Sequence, residues 1–126
     1  MQVDKQNQFD AYQEGCPARV VLDRIADKWT VLVLGLLARR PTRFNQLRRE
    51  IEGISQKMLS QTLKAMERDG LIARKAFPTV PVTVEYSILP LGETLADQLE
   101  SLRLWAETHI PQVEAAQKHY DGAGVN

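Results

Sequence analysis

The chain has 126 residues, 44% hydrophobic and 25% charged, with a single cysteine: one globular domain, too few thiols for a disulfide framework, and a match to a reducing cytoplasm. Its longest apolar run, Val31 to Ala38, is under half of the roughly 18–20 residues that span a bilayer, and its polar, acidic start is unlike a signal peptide, so neither membrane insertion nor export is expected. The net charge is zero, yet Arg39 to Lys75 carries ten bases against four acids, a local surplus of six that the two ends cancel.

Residues 1–15 read as a loosely ordered arm or a short helix. Pro17 suits the first position of a helix running to about Asp27, with Val20, Val21, Leu22 and Ile25 as its apolar face. Asp27 can cap a second helix from Lys28 to about Arg40, apolar nearly all round and therefore central to the core. Arg39 and Arg40 would complement its dipole, and Pro41 would stop it. A short helix from Phe44 to about Ile51 follows, then a turn at Glu52-Gly53-Ile54. Ser55 caps a longer helix that closes at Asp69-Gly70, with Leu59, Thr62, Leu63 and Met66 as its buried stripe.

Beyond Gly70 the apolar period changes from helical to alternating. Leu71–Phe77 and Val82–Ile88 read as paired strands, joined by the tip Pro78-Thr79-Val80-Pro81. Pro90 opens a last helix carrying Leu91, Leu95, Leu99, Leu102 and Trp105 to about His109. Pro111 is expected to kink the chain before a second helical stretch to Tyr120, with a disordered end over residues 121–126. The domain division is thus an arm at 1–15, a main unit at 16–109 and an extension at 110–126.

Helices around a small β-hairpin define a mainly α, α+β fold. The pair 44–51 and 55–69 is a helix-turn-helix, and the hairpin just after it is a wing. The second helix of the pair offers Gln56, Lys57, Ser60, Gln61 and Lys64 opposite its apolar stripe. Glutamine can pair with adenine, lysine with guanine, and serine with base or phosphate. Arg43, Ser55 at the helix N-terminus, wing residues Arg74 and Lys75, and Thr79 at the tip complete the expected double-stranded DNA contacts. A winged-helix module for protein binding is the alternative; it calls for apolar or acidic residues where these polar and basic ones stand.

Several segments carry a family resemblance: Cys16-Pro17, Lys28-Trp29-Thr30, Arg43-Phe44-x-x-Leu47-Arg48-Arg49, Gly53-Ile54-Ser55, Asp69-Gly70-Leu71 and Val84-Glu85-Tyr86. From about Gly15 to Ala106 the chain resembles the HxlR family of bacterial winged-helix regulators, distant relatives of the MarR group. Ser87-Ile88-Leu89-Pro90 departs from the Leu-Thr common there, which bears on helix capping. The resemblance implies a cytoplasmic homodimer on a pseudo-palindromic operator, as a repressor, joined through its terminal helices with Leu95, Leu99, Leu102 and Trp105 at the interface. Some members answer oxidants or electrophiles through a cysteine at this position, which implies Cys16 as a redox-sensing residue and such compounds as effectors.

Cys16 therefore has two readings. At a helix N-terminus a thiolate is stabilised, which suits a sensor; as a small apolar side chain it suits a core. His109 and His119 stand far from Cys16 and form no metal-ligand pattern. There is no glycine-rich phosphate loop, no nucleophile elbow and no orienting partner for a Cys–His dyad. An enzyme, a cofactor and a metal are not expected.

Overall fold

The computed structural model describes residues 8–123, so the first seven residues of the expected arm and the last three of the tail lie outside it. Residues 8–15 form turns and no helix. Five helices follow, α1 (Pro17–Ile25), α2 (Lys28–Leu37), α3 (Phe44–Glu50), α4 (Gln56–Arg68) and α5 (Pro90–Gly122), with strands β1 (Thr42–Arg43), β2 (Ile72–Phe77) and β3 (Thr83–Ile88). The sheet is antiparallel in the order β1-β3-β2.

The core lies around α2, whose Val33, Leu34 and Leu37 are almost wholly buried. Leu47 of α3, Leu59, Leu63 and Met66 of α4, Ile72 of β2 and Leu99 of α5 close over it. Asp27 caps α2 by accepting from the Trp29 amide at 2.7 Å. The helix is shorter than its composition predicts and ends at Leu37. Arg39 and Arg40 lie past its last turn, because the chain must already bend to bring Thr42 and Arg43 into the sheet beside Tyr86 and Glu85. That two-residue strand is absent from the sequence reading: it is too short to show a period, and its partner is distant in sequence.

Two glycines fix how α4 and α5 meet the wing. Gly70, at φ +78°, ends α4. Its amide donates to the Glu67 carbonyl and the Leu71 amide to the Met66 carbonyl, with Leu71 and Met66 packed in the core. This double closure with a left-handed residue is the Schellman arrangement. Gly92 lies in the first turn of α5, where an added Cβ would stand 2.2 Å from the Leu71 carbonyl oxygen. Only hydrogen fits there, which lets α5 start hard against β2.

Three expectations change. α1 buries none of its residues: Val20, Val21 and Leu22 remain 58%, 44% and 51% exposed, and of its apolar face only Ile25 is half-buried. Pro111 does not interrupt α5, which is one helix of 33 residues, about 50 Å long at 1.5 Å per residue. A proline removes one helical hydrogen bond, here to the carbonyl of Glu107, and that residue is solvent-exposed. Asp121 and Gly122, expected in a disordered end, belong to the same helix.

Candidate nucleic-acid interface

α4 presents two faces. Leu59, Thr62, Leu63 and Met66 anchor it, as the stripe predicts, and Ser55 Oγ accepts from the Met58 amide at 3.0 Å to cap it. Gln56, Lys57, Gln61 and Lys64 are exposed on the other side, and Ser60 is half-buried between the faces. The polar face of the helix is therefore free, while its apolar face is fixed.

Between α4, α3 and the wing runs an open groove of about 870 Å³. Arg43, Ser60, Lys64 and Arg74, four of the expected contact residues, line it together. Its far wall is Pro81 and Val82 of the wing tip and the start of β3 at Thr83 and Val84, where β1 has already ended and the strand edge is unpaired. Arg40, Gln46 and Arg49 line it as well, and the sequence reading assigns none of them. Helical spacing could have found two of them: Gln46 and Arg49 stand three apart on α3, off the Leu47–Ile51 stripe.

The two wing bases separate. In the antiparallel register Arg74 lies opposite Tyr86 and Lys75 opposite Glu85. Successive side chains take opposite faces, and of the two only Arg74 lines the groove. Lys75 lies over the Phe77 ring at 5.0 Å from its centroid. Glu85 is also the register partner of Arg43, so a base–acid–base row, Arg43, Glu85 and Lys75, crosses all three strands. The Thr79 hydroxyl donates to the Pro81 carbonyl at 2.8 Å and lies 3.2 Å from Thr83 Oγ1, so it closes the wing tip.

The expected dimer residues divide too. Leu99 is buried in the core and Leu95 is half-buried against it. Leu102 and Trp105 are 54% and 55% exposed, and Ile110 and Tyr120 further along α5 are exposed too. Trp105 stacks on His109 with ring centroids 4.8 Å apart. Cys16 is 9% exposed and is the N-cap residue of α1, with no side-chain capping bond. Among the described residues no cluster of His, Cys, Asp or Glu is placed to hold a metal ion, and no helix is long and apolar enough to cross a membrane.

A helix pair with a free polar face, followed by a two-stranded wing that shares a basic groove with it, defines a winged helix-turn-helix protein. Residues 24–114 match the HxlR-like helix-turn-helix family, and the chain belongs to it. It is 44% identical over 106 residues to the uncharacterised HTH-type transcriptional regulator YtfH of Escherichia coli K12, covering 84% of each chain. The solved structure of the transcriptional regulator ytfH from Salmonella typhimurium superposes with a TM-score of 0.84 at 42% identity, covering 88% of this chain and 99% of that one. The redox regulator HypR in its oxidised form gives a TM-score of 0.67 at 34% identity, covering 74% of this chain and 96% of the other. The chain is thus a transcriptional regulator of the winged helix-turn-helix type.

Proposed function

We propose that this protein is a sequence-specific DNA-binding repressor that acts in the cytoplasm as a homodimer on a pseudo-palindromic operator. The observation that carries the reading is the free polar face of α4 flanked by the basic groove. Gln56, Ser60 and Gln61 read base edges, each good contact contributing about 1–3 kcal/mol of discrimination. Lys57, Lys64, Arg43 and Arg74 meet phosphates and give the binding its salt dependence. Ser55 sets the helix end against the backbone while capping it, and Lys75 and Thr79 make peripheral contacts from the wing. The alternative, a protein-binding module, is disfavoured by a face that is neither apolar nor acidic.

The dimer reading is supported by apolar surface that the single chain leaves uncovered: Val20, Val21 and Leu22 of α1, and Leu102 and Trp105 of α5. Leu95 and Leu99, half-buried and buried against the core, continue the same stripe of α5. In this reading residues 16–109 read DNA, and the extension beyond them lengthens the dimer helix. Two copies on a two-fold axis set their α4 helices in successive major grooves about 34 Å apart.

The decisive test is binding-site selection from a random duplex library with wild type, Lys57→Ala and Gln61→Ala. Lys57→Ala weakens binding to every sequence, and Gln61→Ala relaxes preference at one position in each half-site. An unchanged preference for Gln61→Ala would remove its base-reading role.

A second reading concerns the signal. The resemblance to HypR, itself named a redox regulator, supports Cys16 as a sensor. With one cysteine per chain, the chemistry open to it is a bond to the partner's thiol, a mixed disulfide with a small thiol, or an electrophile adduct. Burial at 9% means that α1 must loosen before the sulfur reacts. Operator binding by wild type and Cys16→Ser, with and without diamide, tests it; equal responses would exclude the role.

A further inference from the structure

Glu50 stands where helix electrostatics disfavour an acid. It is the last residue of α3, after Arg48 and Arg49, at the negative end of the helix dipole. Two side chains lining the groove close on it. Arg40 Nη2 donates to Glu50 Oε2 at 3.0 Å, and Gln46 Nε2 donates to the same oxygen at 2.7 Å. Arg49 in turn donates through Nη2 to Gln46 Oε1. Arg40, Gln46 and Arg49 line the groove with Ser60 and Lys64, whereas Glu50 lines the depression behind it, beside Leu36 and Arg39.

This network contributes little to stability. The Arg40 and Glu50 side chains are 56% and 28% exposed, and exposed ion pairs are weak. Its consequence is geometric. With its oxygen on an arginine and its nitrogen on a carboxylate, the Gln46 amide has one satisfied orientation. Each arginine commits one edge of its guanidinium to the network and leaves its other N–H donors for a ligand. A free arginine side chain must instead be ordered when DNA binds, at a cost in affinity.

We propose that Glu50 is a positioning residue for DNA recognition, fixing Arg40 directly and Arg49 through Gln46 against the phosphates that flank the groove. The inference rests on the DNA-reading function proposed above. It predicts an effect opposite to simple charge, since an acid near a phosphate-binding groove should only weaken binding.

The experiment measures Kd for two duplexes of equal length, one selected by wild type from a random library and one scrambled. In Glu50→Ala, binding to the selected duplex weakens about five- to tenfold while binding to the scrambled one holds or tightens, so the ratio falls. Glu50→Gln, which keeps an acceptor oxygen, restores most of the ratio. If Glu50→Ala tightens both duplexes by the same factor, the positioning role is overturned and Glu50 is only a repelling charge. Gln46→Ala, which removes the link to Arg49 with no change of charge, lowers the ratio in the same direction and carries the test if Glu50→Ala does not fold; an unchanged ratio there overturns the role. A wild-type protein with no preference for any duplex would overturn the DNA-reading function itself, and this inference with it.

Discussion

Arg24 of α1 closes on Asp69, the C-cap residue of α4, with one guanidinium nitrogen 2.5 Å from each carboxylate oxygen. The two side chains are 30% and 17% exposed. α1 buries no residue in the core, so this ion pair is a specific tie between it and the helix that carries the polar face. It also answers an electrostatic problem, since Asp69 stands at the negative end of α4. Arg24→Ala is expected to cost about 1–2 kcal/mol, a charged hydrogen bond reduced by partial exposure. The cost should shrink when Asp69→Asn is already present. Urea unfolding of the two single variants and the double variant measures that coupling; additive costs would mean the pair does not bind α1 to α4.

Gly92→Ala should be among the most damaging changes outside the aliphatic core. The new methyl group meets the Leu71 carbonyl oxygen at 2.2 Å and Ile88 Cγ1 at 2.8 Å, and backbone cannot move aside as a side chain can. Displacing α5 from β2 is expected to cost about 1–3 kcal/mol, read as a lower thermal midpoint. A midpoint equal to wild type would mean that α5 does not start where it is placed.

Ser55 has two roles that substitution can separate. Ser55→Ala removes the acceptor for the Met58 amide and should cost about 1 kcal/mol of stability. Ser55→Asp keeps the cap and favours the helix dipole, so stability holds, but it places a negative charge at the end of α4 proposed to meet DNA. Its DNA affinity should fall below that of wild type at equal stability. If both variants bind DNA alike, Ser55 acts on the fold alone.

The wing bases should differ. Arg74→Ala should weaken binding and reduce the salt slope by about one unit, because Arg74 lines the groove with Ser60 and Lys64. Lys75→Ala should change both much less, since Lys75 is not among the groove's lining residues and lies over the Phe77 ring. Fluorescence anisotropy across a salt series measures the two slopes, and equal losses would contradict a special role for the groove-lining arginine.

On α5 the hydrogen bond from Arg103 to Glu100 holds that carboxyl below its usual range, with the nearby charges of Arg103 and Arg39 adding to the effect. A folded pKa below the unfolded one gives a contribution present above the unfolded pKa and lost as pH falls through the folded value. Arg103→Gln should therefore move the Glu100 titration upward in NMR and leave the neutral-pH fold intact. The Glu100 side chain is 48% exposed, so the effect is local.

Much of this structure was legible from periodicity and capping. Leu59, Thr62, Leu63 and Met66 announced the buried face of α4, Ser55 and Gly70 its ends, and the alternation at Val84, Tyr86 and Ile88 the inner face of the wing. Where the reading failed, the cause was non-local. Thr42–Arg43 becomes a strand only because β3 passes beside it, and a stretch of two residues has no period to read. Arg74 and Lys75 looked like one basic patch, but only Arg74 lines the groove, and Lys75 lies over Phe77. Leu99 looked like one stripe with Leu102 and Trp105, but the core reaches up α5 only as far as Leu99. The Arg40–Glu50–Gln46–Arg49 network depends on how the end of α2 returns to α3, which no local pattern encodes.

The most direct test of the account is selection of binding sites from a random duplex library by the wild-type protein, followed by the stoichiometry of the selected complex. The account predicts a two-fold symmetric sequence whose half-sites lie about one helical turn apart, bound by two protomers. Recovery of no enriched sequence, or of an asymmetric site bound by one protomer, would contradict it.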